Sequence, residues 1–280
     1  MKKQISFGEL KLEIDTFGAR ITKFTKANQE IMKSASDELQ GFNGMVLAPW
    51  PNRIADGKYQ FGGIEYELEI NETDRNNALH GFAYKTEFEI SSQSTSEIVL
   101  WATLTEPNGY PFHIDLQLSY RLDEKGFRCD VLATNNSIQA APFGIAFHPY
   151  YPVDDQTKIS MPAKTHILTN NQMIPISDQP NSHKEFLFGD VDFDDCFTEL
   201  ERANLIAEIE IQSENRSITL WQDEAFDYVM VYTTNDFEAI DGKAKAIAIE
   251  AQSCPANAFN TNPPLLQPAE SFTGSWGVWV

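Results

Sequence analysis

His113-Ile114-Asp115-Leu116-Gln117-Leu118-Ser119-Tyr120-Arg121 alternates apolar and polar side chains without interruption. Successive side chains of an extended chain point to opposite faces, so Ile114, Leu116, Leu118 and Tyr120 share one face and the polar residues the other. Such a stretch is a half-buried strand of an antiparallel sheet. The same grammar recurs in both directions from it. Ile64 to Ile70 places four apolar side chains against three glutamates, which reads as an apolar face backed by a solvated one. Phe127 to Val131, Leu205 to Gln212, Ile218 to Trp221 and Tyr228 to Thr234 behave alike, and Gly, Asn, Asp or Pro clusters separate them. Ser34 to Leu39 is the one candidate for a short helix. Ile174 to Gly189 is polar and contains proline, and reads as a long surface loop; Asn260 to Pro268 reads as another irregular stretch. No linker or repeat divides the chain, so residues 1–280 are expected to form one all-β domain, a large antiparallel β-sandwich.

Composition narrows the function. Lys and Arg total 21 against 41 Asp and Glu, a net charge of -20. A surface of that sign repels phosphate backbones and anionic membranes, so neither nucleic acid nor membrane is an expected partner. No run of about eighteen apolar residues is present, and Lys2 and Lys3 are not followed by an apolar signal segment. Cys129, Cys196 and Cys254 are odd in number, far apart and without CxxC spacing, as suits reduced thiols in a cytoplasm, with one disulfide as the alternative. No nucleotide-binding, serine-hydrolase or zincin motif occurs. Asp190, Asp192, Asp194 and Asp195 lack the Gly and Glu of a calcium loop, so no metal and no cofactor is expected.

Two segments carry ionisable groups in an unusual setting. In Phe143-Gly144-Ile145-Ala146-Phe147-His148-Pro149, the face bearing His148 otherwise holds Gly144 and Ala146. In Ala244-Lys245-Ala246-Ile247-Ala248-Ile249-Glu250, the face bearing Glu250 holds Ala244, Ala246 and Ala248. Small side chains leave room, and a His and a Glu facing one roomy site are the partners of general acid-base chemistry. A carboxylate in such an apolar run is costly to bury, and burial raises its pKa toward neutrality. His80 sits in a turn, Asn77-Ala78-Leu79-His80-Gly81, as a further candidate. His113, on the polar face of its strand, and His166 and His183, in polar loops, read as solvated. The prolines of Pro49-Trp50-Pro51-Asn52-Arg53 make a stiff loop able to present Trp50, Asn52 and Arg53 to a sugar; core packing is the alternative for Trp50. Asp194 is a candidate for holding hydroxyl groups, with Asp195 its rival.

These segments together resemble the aldose 1-epimerase (galactose mutarotase) family. The resemblance runs from about Gly44 to the C-terminus, through Pro49 to Tyr59, Asn77 to Gly81, Phe147 to Tyr150, Phe193 to Phe197, and Ile249-Glu250 followed by Cys254 to Asn260. It implies a supersandwich with a sugar in an open cleft and a monosaccharide as partner, the protein being a monomer or homodimer. It implies a base at Glu250, an acid at His148, an assisting His80, and hydroxyl contacts from Asn52, Arg53 and Asp194. Departures are Ala251 where many members have Pro, and Phe82 where many have Gly. The expected reaction is interconversion of α and β anomers of a free aldose, with a hexose-6-phosphate 1-epimerase or a noncatalytic carbohydrate-binding protein as alternatives. A glycosidase needs two carboxylates flanking the bond, and only Glu250 has a convincing setting.

Overall fold

The computed structural model describes residues 1–34, 40–106, 108–240 and 242–280. The short helix expected at 34–39 falls, beyond Ser34, outside the described residues. Two large antiparallel sheets dominate. One orders its strands as Glu89–Gln93, Glu97–Glu106, Tyr110–Leu122, Gly126–Asn135, Ser271–Trp279, Arg216–Gln222, Ala207–Ser213, Lys158–Ser160 and Glu185–Leu187. The other runs Pro175–Pro180, Ala163–Thr169, Asp194–Leu200, Tyr228–Ala239, Gly242–Gln252, Ala146–Phe147 and Val46–Leu47, with Tyr150–Pro152 also paired to Gly242–Gln252. A four-stranded sheet from the first 32 residues packs on the same core, where Tyr120 Oη donates to the Ala19 carbonyl at 2.6 Å.

The alternating stretches form strands as expected. In Tyr110–Leu122, Ile114, Leu116, Leu118 and Tyr120 are fully buried. Phe147 of the second sheet meets Trp276 of the first at 4.9 Å between ring centroids, so one core fills the space between the sheets. Ile247 and Ile249 face that core too.

Three expectations need correction. Ile174 to Gly189 is not a loop, because Pro175–Pro180 and Glu185–Leu187 form edge strands, one on each sheet. Edge strands see water on several sides, which erases the apolar alternation. Ile64 to Ile70 keeps its glutamates exposed but is a strand only over Ile64–Glu67. It pairs with Lys58–Phe61 in a separate hairpin, so Ile64 stays exposed while Tyr66 stacks on Tyr59 at 5.0 Å. His166 is buried on the strand Ala163–Thr169, stacked on Phe197 at 4.7 Å, rather than solvated in a loop. Its Nε2 lies 2.8 Å from Asp195 Oδ1, and that partnership removes the cost of burying it. Among the described residues no helix is long and apolar enough to cross a membrane.

Candidate active site

Register assigns the second sheet's outer face. Directly paired residues in antiparallel strands project to the same side. Glu250 pairs with Met230, which pairs with Cys196; in the next row Tyr150 and Tyr232 both pair with Ala248, and Tyr232 pairs with Asp194. Ile247 and Ile249 fill the inner face, so the alternation that buries them turns Glu250 outward onto a floor of alanines. His148 follows Ala146–Phe147, whose Ala146 pairs with Gln252 of the Glu250 strand. Phe147 goes to the core, and His148 emerges on Glu250's side.

The result is a cleft of about 320 Å³ that Glu250, His148, His80, Asn52, Arg53 and Asp194 all line. Six of the seven residues singled out from the sequence therefore converge. The seventh, Trp50, does not. It is buried among Phe82, Tyr110 and Phe259, and its Nε1 donates to the Ala78 carbonyl at 3.3 Å. Its loop brackets the site by packing the core beneath it.

His148 Nε2 lies 3.2 Å from Glu250 Oε1. Both groups are almost wholly buried, Glu250 at 2% exposure. Burial pushes the Glu250 carboxyl up to about 8; the bond from Gln252 and the charge of Arg53 oppose the rise, and Asp194 adds to it. Burial likewise pulls His148 down to about 4. Desolvation disfavours the charged form of each. The pair therefore holds one proton across a wide pH range, and its titrations belong to the pair rather than to either residue.

His80 is held by a reciprocal backbone arrangement. Its N–H donates to the Asn52 carbonyl at 2.8 Å, and the Asn52 N–H donates to His80 Nδ1 at 3.1 Å. Nδ1 is thus an acceptor, which fixes the proton on Nε2 in the neutral ring. Burial first, then His148 and Arg53, hold His80 well below the usual histidine range. The turn that presents it has positive φ at both His80 and Gly81. A Cβ on Gly81 would meet the Ala48 carbonyl oxygen at 2.1 Å, so this turn requires glycine.

Asp194, not Asp195, lines the cleft; Asp195 turns to the inner side, to His166. Arg53 donates from Nη2 to Asp194 Oδ2 at 3.3 Å and from Nη1 to Asn52 Oδ1 at 3.3 Å. The Cys254 to Asn260 segment supports this loop, since the Asn257 N–H donates to the Arg53 carbonyl at 2.6 Å.

Among the residues that escaped the sequence reading, Glu72 and Gln252 hold the cleft's charged groups in place. Glu72 accepts from Arg53 Nε at 2.9 Å and Nη2 at 3.0 Å, from Asn77 Nδ2 at 2.7 Å and from Arg75 Nη1 at 3.0 Å. Those donors hold its carboxyl below the usual range despite partial burial. Nothing local distinguishes Glu72 from the solvated glutamates before it, since Arg75 and Asn77 arrive through the turn that follows and Arg53 from another strand. Gln252 Nε2 donates to Glu250 Oε2 at 3.0 Å and orients the carboxylate. Period-two spacing from Glu250 was its available signal. Among the described residues no three His, Cys, Asp or Glu side chains gather as a metal site.

Comparison with known proteins identifies the family and the fold. The family profile described as aldose 1-epimerase matches residues 2–279. The chain is 30% identical over 242 residues to the Escherichia coli K12 protein named uncharacterized protein YihR, covering 80% of this chain and 73% of that one. It is 21% identical to the galactose mutarotase of Mus musculus, over 97% of this chain and 91% of that one. Among solved structures, a GalM/aldose epimerase homologue from C. elegans superposes with a TM-score of 0.87 at 16% identity, over 100% and 98% of the two chains. Sequence pattern, fold and comparison agree that the chain belongs to the aldose 1-epimerase family.

Proposed function

We propose that the protein is an aldose 1-epimerase that interconverts the anomers of an uncharged free aldose. The observation that carries this reading is the His148–Glu250 pair, 3.2 Å apart in the cleft wall, whose opposite pKa shifts leave it one proton to share. Anomerisation needs one group able to take a proton and another able to give one. Between about pH 4 and 8 the shared proton rests on Glu250 and His148 is neutral. Its passage to His148 Nε2 across the 3.2 Å contact makes the reactive form of the pair. The Glu250 carboxylate then takes the proton of the C1 hydroxyl while the His148 imidazolium gives its proton to the ring oxygen. The C1–O5 bond breaks, its electron pair stays on oxygen, and C1 becomes an aldehyde carbon. Rotation about C1–C2 and the reverse transfers close the other anomer. The two side chains supply both transfers, about 10²–10⁴-fold each. His80 Nε2–H, Asn52, Arg53 and Asp194 offer donors and acceptors for ring hydroxyls.

Preference for an uncharged sugar rests on the state of the cations. Arg53 is neutralised by Glu72 and Asp194, and Arg75 is tied to Glu72. A phosphate pocket needs cations or backbone donors left free for the anion. Polarimetry starting from pure α-glucose or α-galactose, with and without protein, tests the reaction, and glucose 6-phosphate under the same conditions tests the preference. No acceleration for either free sugar, or a clear preference for the phosphate, overturns the reading.

A further inference from the structure

His148 is placed without the bond that commonly orients a reactive histidine, a carbonyl or carboxylate on the second ring nitrogen. Its Nε2 faces Glu250 Oε1 at 3.2 Å, while Nδ1 is buried and bonds to no other residue among the described ones. Backbone bonds fix its Cα. The His148 N–H donates to the Met45 carbonyl at 3.1 Å, and the Gly44 N–H donates to the His148 carbonyl at 2.8 Å. They leave the side-chain torsions open, so packing has to set the ring. Three rings pack around it: Tyr150 at 5.0 Å and 32° between planes, His80 at 5.7 Å and 85°, and Phe42 at 6.4 Å and 31°. His80 has its own anchor in the Asn52 N–H, and Tyr150 is held by strand pairing. Phe42 is the member that a turn must hold in place.

That turn is strained. Gly41 and Phe42 have consecutive positive φ angles of 59° and 55°. An aromatic residue is uncommon in this region, and such outliers persist where neighbours over-determine them, often at functional sites. The neighbours here do so. The Phe42 carbonyl accepts from the Met45 N–H at 2.9 Å, the Asn43 carbonyl accepts from Arg20 Nε at 2.7 Å, and Asn43 Nδ2 donates to the Lys33 carbonyl at 2.8 Å. Gly44 lies so close to Ile21 that a Cβ would meet its carbonyl oxygen at 1.9 Å. The Phe42 ring stands edge-on to His80 at 4.6 Å and to Tyr84 at 5.1 Å, packs against Met45, Leu47 and Ala146, and lines the cleft. It stays half-buried and belongs to a small cluster outside the main core, so little folding free energy depends on it.

We propose that Phe42 is a positioning residue for the proton transfers: its ring, projected by the strained turn, completes the packing that orients the His148 ring toward Glu250 and keeps water from Nδ1. The proposal rests on the anomerisation reading above. The proton of Glu250 must cross 3.2 Å to Nε2 and then reach the ring oxygen, and both steps need an imidazole that does not swing. Phe42 offers no hydrogen bond to a hydroxyl group, so its effect falls on kcat rather than KM. The ionisable groups facing the His148 ring are Glu250, His80 and Tyr150; Arg53, Arg75, Asp194 and Tyr232 line the rest of the cleft. Removing Phe42 alters none of these charges, so a shift in the titration of His148 reports hydration of its ring. Hydration weakens the burial that pulls this group down, so the shift runs upward.

The experiment compares Phe42→Ala and Phe42→Leu with the parent, using the full chain. It measures kcat and KM for one free aldose across the pH profile, the titration of the His148 ring by nitrogen NMR, which needs no turnover, and unfolding curves. Phe42→Ala should lower kcat about tenfold or more with KM within about threefold, and raise the acid limb and the His148 titration by about one pH unit or more, while the basic limb moves less than about half a unit. Phe42→Leu keeps an apolar cover and should recover most of both effects. Turnover by the parent with kcat and acid limb unchanged in Phe42→Ala overturns the positioning role and leaves the anomerisation reading standing. A rise in KM alone would make Phe42 a sugar contact and overturns it too, as does loss of the fold in Phe42→Ala or no recovery in Phe42→Leu. No turnover by the parent overturns the anomerisation reading; an unshifted His148 titration in Phe42→Ala then overturns the ordering of this ring by Phe42 as well.

Discussion

Glu250→Gln should make the protein more stable at alkaline pH while removing its activity. The carboxyl rises from 4.5 to about 8 because it is buried. At about 1.4 kcal/mol per pH step, that rise is worth up to about 5 kcal/mol, and coupling to His148 brings the usable figure to a few kcal/mol. Below pH 4.5 the group is protonated in folded and unfolded chains alike, and it costs nothing. Between pH 4.5 and 8 the unfolded chain releases the proton and the folded one retains it, so stability falls steadily; above pH 8 the full cost is present. Glutamine never ionises. Its amide oxygen can still accept from Gln252 Nε2, which now bonds Glu250 Oε2 at 3.0 Å, and its NH₂ can face His148 Nε2. Thermal or urea unfolding of parent and variant at pH 5 and pH 9 reads the difference. The variant should gain little at pH 5 and a few kcal/mol at pH 9. A stability difference that is the same at both pH values would refute the claim that burial of this carboxyl governs its proton.

Three further outcomes are expected. The pH profile of kcat/KM should be bell-shaped, with limbs near 4 and 8, because one proton must reside on the pair; limbs more than about two units from these values count against the pairing. Glu72→Gln should release Arg53 and raise KM about tenfold with a smaller change in kcat, at a stability cost of about 1–3 kcal/mol; unchanged KM would show that Arg53 needs no such anchor. Gly81→Ala should destabilise by about 2 kcal/mol or more, because the new Cβ meets the Ala48 carbonyl oxygen at positive φ; an unchanged denaturation midpoint would contradict the turn geometry.

Most of the fold was legible because strands with one wet face write their geometry into the sequence. Tyr110–Leu122 alternates over its whole length, and each apolar position is buried. Legibility failed at edges. Pro175–Pro180 has no dry face, so it read as loop. The Glu250 and His148 environment was legible because an ionisable group at the end of a small-residue face has few structural reasons to be there. The Trp50 environment was not, since core aromatics and sugar platforms have the same side chain. Glu72 was hidden because its meaning lies in donors from three residues, one of them Arg53 from another strand. The choice between Asp194 and Asp195 was likewise a matter of which face points outward, and only strand register decides that.

The most direct test is the rate of α-to-β conversion of one free aldose, followed by polarimetry or exchange NMR, for the parent, Glu250→Gln and His148→Asn at pH 6–7. Unfolding curves establish that each variant is folded. If the pair moves the protons, each substitution lowers kcat by at least about 100-fold. Folded variants that keep activity within about threefold of the parent would contradict the assignment of acid-base catalysis to His148 and Glu250.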